Sequence, residues 1–280
     1  MLKLRVITAL ILGPLIIWSV LSFSHRALAI EIGLVLTLAA WEWARLSGIQ
    51  HQIGRIGYAW FLLGSMLVLG FLIHKYPIVI NIILYLATAW WVIAIFLVAY
   101  VNRQPINHES VLSPGKIVIN LFAGLFVLLG AFVSITALHR APEYGSAYIL
   151  AMLILIWVAD SSAYFAGKAF GKNKLAVNVS PGKTWEGVLG AMLAVVLTAY
   201  LAAHYFEFTG NMTIYFIVIA LITILFSIVG DLIESLFKRR VGIKDSSNLL
   251  PGHGGIMDRI DSLVAAAPIF LLGLQLAGIK

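Results

Sequence analysis

Apolar runs of about 20 residues recur along this chain and limit its possible folds more than any other feature. The chain has 280 residues, of which 61% are hydrophobic and only 11% are charged, whereas soluble domains carry about 25% charged residues. A helix needs about 20 apolar residues to cross the hydrocarbon of a bilayer. We therefore predict an all-α polytopic integral membrane protein that forms a single membrane domain over residues 1–280.

Hydropathy predicts nine membrane helices joined by short polar segments. The predicted ranges are 5–24, 27–46, 57–74, 78–101, 117–138, 147–169, 186–205, 212–237 and 256–279. An arrangement with eight spans stays open, in which one of these segments is re-entrant. With the N-terminus in the cytoplasm, only four of the 19 Lys and Arg residues would lie outside, namely Arg26, Lys75, Arg140 and Lys280. The positive-inside rule therefore favours a cytoplasmic N-terminus.

Composition excludes some classes of function. The chain has no cysteine, so it has no thiolate metal site and no cysteine nucleophile. Its net charge is +7, but the basic residues lie in short loops beside apolar spans, where they set topology and contact lipid phosphate. We therefore predict a membrane lipid partner and no nucleic-acid partner.

Most of the twelve carboxylates follow residue 159, which points to the C-terminal half as the site of chemistry. The first five spans carry only Glu31 and Glu42 within their apolar runs, and Glu42 is expected to be an interfacial anchor. We predict that residues 1–145 are scaffold helices that can also supply dimer contacts. Residues 146–280 are predicted to form the catalytic half.

The eighth predicted helix ends in a polar stripe at positions i, i+3, i+4 and i+7, formed by Asp231, Glu234, Ser235 and Lys238. This spacing places them on one helical face, where a salt-bridge ladder and a functional site are equally good explanations. The ninth helix opens with Asp258, Arg259 and Asp261. A short loop joins the two helices, so their acids can meet and bind a hard cation such as Mg²⁺. Stabilisation of the helix dipole explains only part of this pattern.

Two loops carry candidate phosphate-binding residues. Gly254 and Gly255 lead into the ninth helix, whose free N–H groups are expected to form an anion cradle, although Pro-Gly pairs more often only turn the chain. Basic residues for phosphate stand at the end of the eighth helix and beyond it, as Lys238, Arg239, Arg240 and Lys244. His253 is expected to be a hydrogen-bonding residue of the scaffold.

The other loop follows Asp160 and contains Ser180, Lys183 and Thr184. Gly-Lys-Thr at 182–184 is similar to the end of a P-loop, but Val177 stands where that motif requires Gly and no strand precedes it, so a Walker ATPase is excluded. A lysine and hydroxyls beside a helix start suit a triphosphate. The alternative is a positive-inside loop in which Ser180 caps the seventh helix.

The stretch from Ser235 to Asp261 resembles the signature of the phosphatidate cytidylyltransferases, also called CDP-diglyceride synthases. The matching positions are Ser235, Phe237, Lys238, Arg239, Lys244, Asp245, Ser247, Leu250, Pro251, His253, Gly254, Gly255, Ile256, Asp258, Arg259, Ile260 and Asp261. Upstream, the resemblance includes Asp160 and the run 180–187. Over the first 150 residues it rests only on hydrophobicity and length.

This resemblance implies that CTP and phosphatidate give CDP-diacylglycerol and pyrophosphate in phospholipid biosynthesis. The reaction would use Mg²⁺, with K⁺ as a candidate second ion, on the cytoplasmic side of a bacterial-type inner membrane, in a chain that can form a homodimer. Metal binding is implied for Asp231 and Asp258. Substrate binding is implied for Ser180, Lys183, Thr184, Asp160, His253, Gly254, Gly255 and Arg259. The expected catalytic residues are Asp231, Asp258, Lys238, Arg239, Lys244 and Asp261.

The expected mechanism is in-line displacement at the α-phosphorus of CTP by a phosphatidate oxygen, aided by charge stabilisation and alignment. Two other functions are alternatives. A CTP-dependent kinase of a polyprenol or phytol alcohol would instead transfer the γ-phosphoryl group and release CDP. A transporter is less favoured, because the charged residues cluster towards one face instead of near the midplane.

Overall fold

The fold is a bundle of long helices, as the apolar runs predict. The computed structural model describes residues 2–103 and 112–279, with only the backbone for residues 2–7 and 9. Its helices are α1 (Leu2–Ser22), α2 (His25–Leu46), α3 (Gln52–Lys75), α4 (Ile78–Val101), α5 (Pro114–His139), α6 (Gly145–Phe170), α7 (Trp185–Tyr205), α8 (Asn211–Arg240) and α9 (Met257–Leu276). Each of the nine predicted helices is confirmed within this part of the chain.

Eight of these helices, α2 to α9, are long and apolar enough to cross a membrane by length and composition. For α1 the apolar part with described side chains is Leu10–Ser22. The polytopic membrane fold is therefore confirmed, while the ninth crossing stays a prediction. Lys280, which the charge argument uses, lies outside the described residues.

A two-stranded hairpin interrupts the otherwise helical chain. Strand β1 (Lys174–Ala176) pairs antiparallel with β2 (Ser180–Thr184) in the connection between α6 and α7. The prediction of an all-α chain missed this hairpin. The two strands are short and polar, so they do not show the alternation of apolar residues that identifies a strand in a sequence. Asn102, at the end of α4, holds the hairpin through bonds from its Nδ2 to Leu175 O (3.4 Å) and from Asn178 N to its Oδ1 (3.3 Å).

The polar connections gather at one end of the bundle, which we call the loop face and define by residues 46–52, 171–184 and 241–256. Contacts between distant segments hold it together: Thr8 Oγ1 donates to Pro251 O (3.2 Å) and Arg45 Nη1 donates to Ser246 O (3.0 Å). At the opposite end, Arg140 Nη2 lies 3.1 Å from His25 Nε2. The connections at 46–52, 171–184 and 241–256, which the predicted topology puts on the cytoplasmic side, therefore lie at the same end of the bundle.

Small residues let the C-terminal helices pack closely enough to align their polar side chains. A Cβ on Gly230 of α8 would lie 2.4 Å from the carbonyl oxygen of Asp261 in α9, and a Cβ on Gly190 of α7 would lie 2.4 Å from Ala166 Cβ in α6. Glycine is therefore required at both crossings, as is common between membrane helices. The core also joins the two halves of the chain, since Trp43 of α2 packs against Phe237 of α8 with ring centroids 5.1 Å apart.

Candidate active site

The main cleft opens on the loop face between α6, the hairpin, α7 and α8, with a volume of about 490 Å³. Five predicted site residues line this cleft, contributed by three separate parts of the chain: Asp160, Ser180, Lys183, Thr184 and Asp231. Asp160 and Asp231 are far apart in the sequence, so only the folded bundle brings them to the same cleft. The structure therefore brings the predicted loop at 180–184 together with Asp160 and Asp231 around this cavity, whereas the predicted loop before α9 does not line it.

Lys183 and Asp231 form the ion pair of the main cleft. Lys183 Nζ lies 2.7 Å from Asp231 Oδ2, and the two side chains keep 25% and 34% of their surface exposed. Ser235 Oγ donates to the other oxygen of Asp231 at 3.2 Å. Asp160 lies within electrostatic range of both members of the pair and of Arg259. Lys183 thus pairs directly with Asp231 and interacts with Asp160 only electrostatically.

Thr184 performs the capping role that the sequence alternative gave to Ser180. It stands before the first residue of α7, and its hydroxyl oxygen accepts a bond from Gly187 N at 3.1 Å. A threonine at this position satisfies an amide that has no partner within the helix. Ser180 is thereby left to line the cleft, five residues before the helix starts. Nucleotide binding by either hydroxyl stays a prediction.

A second cluster lies deeper, where α8 meets α9. Lys238 Nζ donates to Glu234 Oε2 and to Asp258 Oδ1, each at 2.6 Å. The side chains of Lys238, Glu234 and Asp258 are only 11%, 1% and 5% exposed. We call these three residues the clasp. The predicted ladder on α8 is present, and Lys238 links acids of the two helices, Glu234 and Asp258. A meeting of Asp231 with Asp258 stays a prediction.

Asp258 organises the loop that precedes α9. Its Oδ2 accepts bonds from Ser246 N (2.9 Å), Ser246 Oγ (2.8 Å) and Gly255 N (2.7 Å). Gly254 has φ +82°, and a Cβ there would lie 2.7 Å from the same oxygen, so only glycine lets the backbone wrap this carboxylate. The expectation of free amides at the start of α9 is not met, since Gly255 already donates to the chain's own aspartate.

Glu42 is the residue that sequence reasoning missed. It is fully buried, and its Oε2 accepts from Met257 N (2.6 Å). The same oxygen lies 3.0 Å from Ser246 Oγ, whose single proton has the nearer acceptor in Asp258. The Oε1 of Glu42 accepts from Ile256 N (3.0 Å) and Ser247 Oγ (2.5 Å). The prediction of an interfacial anchor is wrong, because the positive end of the α9 dipole and its unpaired amides attract a carboxylate. The available signal was an acidic residue inside an apolar run, which marks a functional site by default.

The remaining predicted residues surround these two clusters. Lys244 and Arg259 are exposed and Arg239 is partly buried, so their side chains border the loop face. Asp261 Oδ1 accepts from its neighbour Ser262 N at 2.7 Å, and His253 N donates to Leu250 O at 2.9 Å within a turn. Their roles in binding and catalysis stay predictions.

Comparison with known proteins extends the similarity to nearly the whole chain. A family model described as the cytidylyltransferase family matches residues 3–277. The chain is 43% identical to a phosphatidate cytidylyltransferase of Pseudomonas aeruginosa over 99% of this chain and 98% of that protein. It is 35% identical to a phosphatidate cytidylyltransferase of Haemophilus influenzae over 96% and 97% of the two chains. The resemblance therefore includes the N-terminal helices, beyond the stretch that the motifs cover.

Replacing Glu42 with alanine should destabilise the protein. The amides of Ile256 and Met257 would lose their acceptor in a buried position, which costs about 1–3 kcal/mol for each such group. We expect the thermal unfolding midpoint of Glu42→Ala in detergent to fall clearly below that of the wild type.

The matched control is Glu31→Gln on the same helix, because Glu31 Oε2 is buried without a hydrogen-bond partner. Neutralising that carboxylate should leave the midpoint unchanged or raise it, since an unpaired buried charge is unfavourable. Equal losses in the two variants would contradict the assigned role of Glu42.

Proposed function

The chain belongs to the cytidylyltransferase family, and from this we infer that it transfers CMP from CTP to phosphatidate, giving CDP-diacylglycerol and pyrophosphate in phospholipid biosynthesis. The observation that carries this inference is 43% identity to a phosphatidate cytidylyltransferase over 99% of the chain. The arrangement of the main cleft supports it, because a lysine, two hydroxyls and two carboxylates face one cavity on the loop face.

The proposed reaction is one displacement at phosphorus. A phosphate oxygen of phosphatidate attacks the α-phosphorus of CTP, the bond from that phosphorus to the bridging oxygen breaks, and pyrophosphate leaves with the electron pair. The attacking oxygen is already anionic at neutral pH, so no strong general base is needed. The barrier lies in aligning groups of like charge, which cationic side chains lower by electrostatic stabilisation. We assign this role to Lys183, which lines the main cleft, and to Arg259, which lies within electrostatic range of Asp160.

We propose Mg²⁺ as the metal, with Asp231 and Asp258 as its protein ligands and K⁺ as a candidate second ion. Asp231 fits this role, since its carboxylate borders the main cleft and the donor set there is oxygen. Asp258 would have to share the Oδ1 that Lys238 now contacts. Among the described residues no group of three or more His, Cys, Asp or Glu is placed to hold a metal, so water and substrate phosphate would have to complete the shell of the ion, as is common for Mg²⁺. When bound, the ion would neutralise phosphate charge.

The lipid substrate would reach the main cleft from the bilayer. Tyr164 of α6 lines the cleft and is 61% exposed, and the next residue, Phe165, is 68% exposed. Such large exposed apolar groups suit contact with acyl chains. We propose that phosphatidate keeps its chains in the membrane and presents only its phosphate to Lys183.

The chain is a multi-pass membrane protein, and its relatives are bacterial. We propose that the loop face points into the cytoplasm, where CTP is available, and that the membrane is the inner membrane. The positive-inside rule supports this orientation. Formation of a homodimer stays a prediction from the family resemblance.

Asp231→Asn should reduce turnover by at least about 100-fold, as expected when a group that stabilises charge in the transition state is lost. The assay uses purified protein in detergent with labelled CTP, phosphatidate and a Mg²⁺ titration, and it measures CDP-diacylglycerol and pyrophosphate. Glu143→Gln, an exposed carboxylate outside the cleft, is the control and should keep full activity.

Wild-type turnover with an unchanged Mg²⁺ requirement in Asp231→Asn would refute the metal assignment. Release of CDP together with a phosphorylated alcohol, in place of pyrophosphate, would refute CMP transfer itself.

The absence of cysteine makes the orientation directly measurable by single-cysteine labelling. A membrane-impermeant maleimide applied to intact spheroplasts should label Glu143→Cys, which lies between α5 and α6. It should label Asn248→Cys, an exposed residue of the loop face, only after lysis. The reverse pattern would show that the loop face points outward.

A further inference from the structure

A second cleft on the loop face is separate from the main cleft and shares none of its lining residues. It has a volume of about 300 Å³ and lies between the end of α2, the start of α3 and the segment that follows α8. Its polar lining comes from Arg45, Gln50 and Arg55, and Val241 and Ile243 form the wall on the side of α8. We call it the arginine cleft.

Arg55 is fixed in place with one donor unused. Its guanidinium carbon lies 3.7 Å above the ring centroid of Trp41, and its Nε donates to Trp41 O at 3.3 Å. Its Nη2 is buried and has no hydrogen-bond partner. An arginine that served only as a positive-inside charge would extend its guanidinium into water. The guanidinium of Arg55 is instead stacked on Trp41, and its buried Nη2 has no hydrogen-bond acceptor.

Arg45 is fixed in a different way. Its Nη1 donates to Ser246 O at 3.0 Å, so the guanidinium is tied to the same loop that Asp258 holds. Within the described part of the chain, the ion pairs that form involve lysines, and neither arginine has a carboxylate within salt-bridge distance. Arg45 and Arg55 repel each other electrostatically. Glu42 attracts Arg55 electrostatically but does not line the cleft, so among the described lining residues there are two oriented cations and no carboxylate.

We propose that Arg45 and Arg55 form a binding site for a phosphate group of one of the reactants. Guanidinium groups present paired donors whose geometry matches phosphate oxygens. The unused Nη2 of Arg55 supplies one such donor. This proposal rests on the proposed function. The β- and γ-phosphates of CTP, which leave as pyrophosphate, carry the required group, and the other source is a second phosphatidate molecule, distinct from the one that meets Lys183.

The position of the arginine cleft explains how an occupant would affect the reaction. Val241 and Ile243 lie between the basic end of α8 and the loop held by Asp258. Arg45 contacts Ser246, whose amide and hydroxyl donate to Asp258. A phosphate bound here would draw the two arginines together and hold the segment 241–246 against α2. We therefore expect the site to raise the affinity for substrate more than the rate of the chemical step.

The test compares Arg55→Gln and Arg55→Lys with the wild type in nanodiscs. Arg103→Gln, an exposed arginine at the end of α4, is the control. Affinities are measured for inorganic pyrophosphate and CTP in solution, and for phosphatidate by varying its fraction in a phosphatidylcholine nanodisc. We expect Arg55→Gln to weaken one class of ligand by at least about tenfold, because a charge-assisted bidentate contact is lost, with kcat within about twofold of the wild type. Arg55→Lys keeps the positive charge but lacks the paired N–H donors of a guanidinium. Its affinity should therefore lie between those of the wild type and Arg55→Gln.

The two sources of phosphate give different results. Weaker CTP and pyrophosphate binding with an unchanged KM for phosphatidate assigns the site to the nucleotide, and the opposite pattern assigns it to the lipid head group. If every constant of both Arg55 variants matches the wild type and Arg103→Gln, the proposal is overturned. If the wild type transfers no CMP, the proposed function fails, but the binding measurements still decide whether Arg55 holds phosphate. Arg55→Lys keeps the test valid should Arg55→Gln fail to fold.

Discussion

The buried contact of Lys238 with Glu234 and Asp258 is the interaction on which the polar end of this bundle depends. Charged groups in such surroundings are unfavourable unless they are paired and hydrogen-bonded, and the clasp meets this condition by joining α8 to α9. Asp258 then holds the preceding loop through Ser246 and Gly255. Glu42 fixes the start of α9 from the other half of the chain. A membrane protein with few charged residues thus uses several of them to fix one loop.

The two aspartates expected to bind metal are held differently. Asp231 pairs with a partly exposed lysine at the edge of the main cleft, whereas Asp258 is nearly buried and accepts four hydrogen bonds. The cleft can therefore exchange its ion pair for contacts with substrate and cation at little cost, while any rearrangement of Asp258 would loosen the loop. This difference gives Asp231 the more direct access to ligands and gives Asp258 a structural role in addition to any chemical one.

Sequence reasoning predicts best what depends on local order. Apolar runs give the nine helices, and the spacing of Glu234 and Lys238 gives their contact, because helical geometry alone brings i and i+4 together. The hairpin was missed because its strands are short and polar. Glu42 and Arg55 were missed because their partners depend on packing: Glu42 meets Met257 across 215 positions, and Arg55 faces a wall formed by the segment after α8. No periodicity along one helix contains that information.

A double-mutant cycle on the clasp tests this account most directly. The free energy of unfolding in mixed micelles would be measured for Lys238→Met, Asp258→Asn and the combined variant. Lys238→Met leaves two buried carboxylates without their cation, and Asp258→Asn removes one of the two carboxylates that neutralise Lys238. Each should cost about 3–5 kcal/mol, and the combined variant should lose at least about 1.5 kcal/mol less than the two together. Losses that add to within about 0.5 kcal/mol would contradict the account, because Lys238 and Asp258 would then not depend on each other.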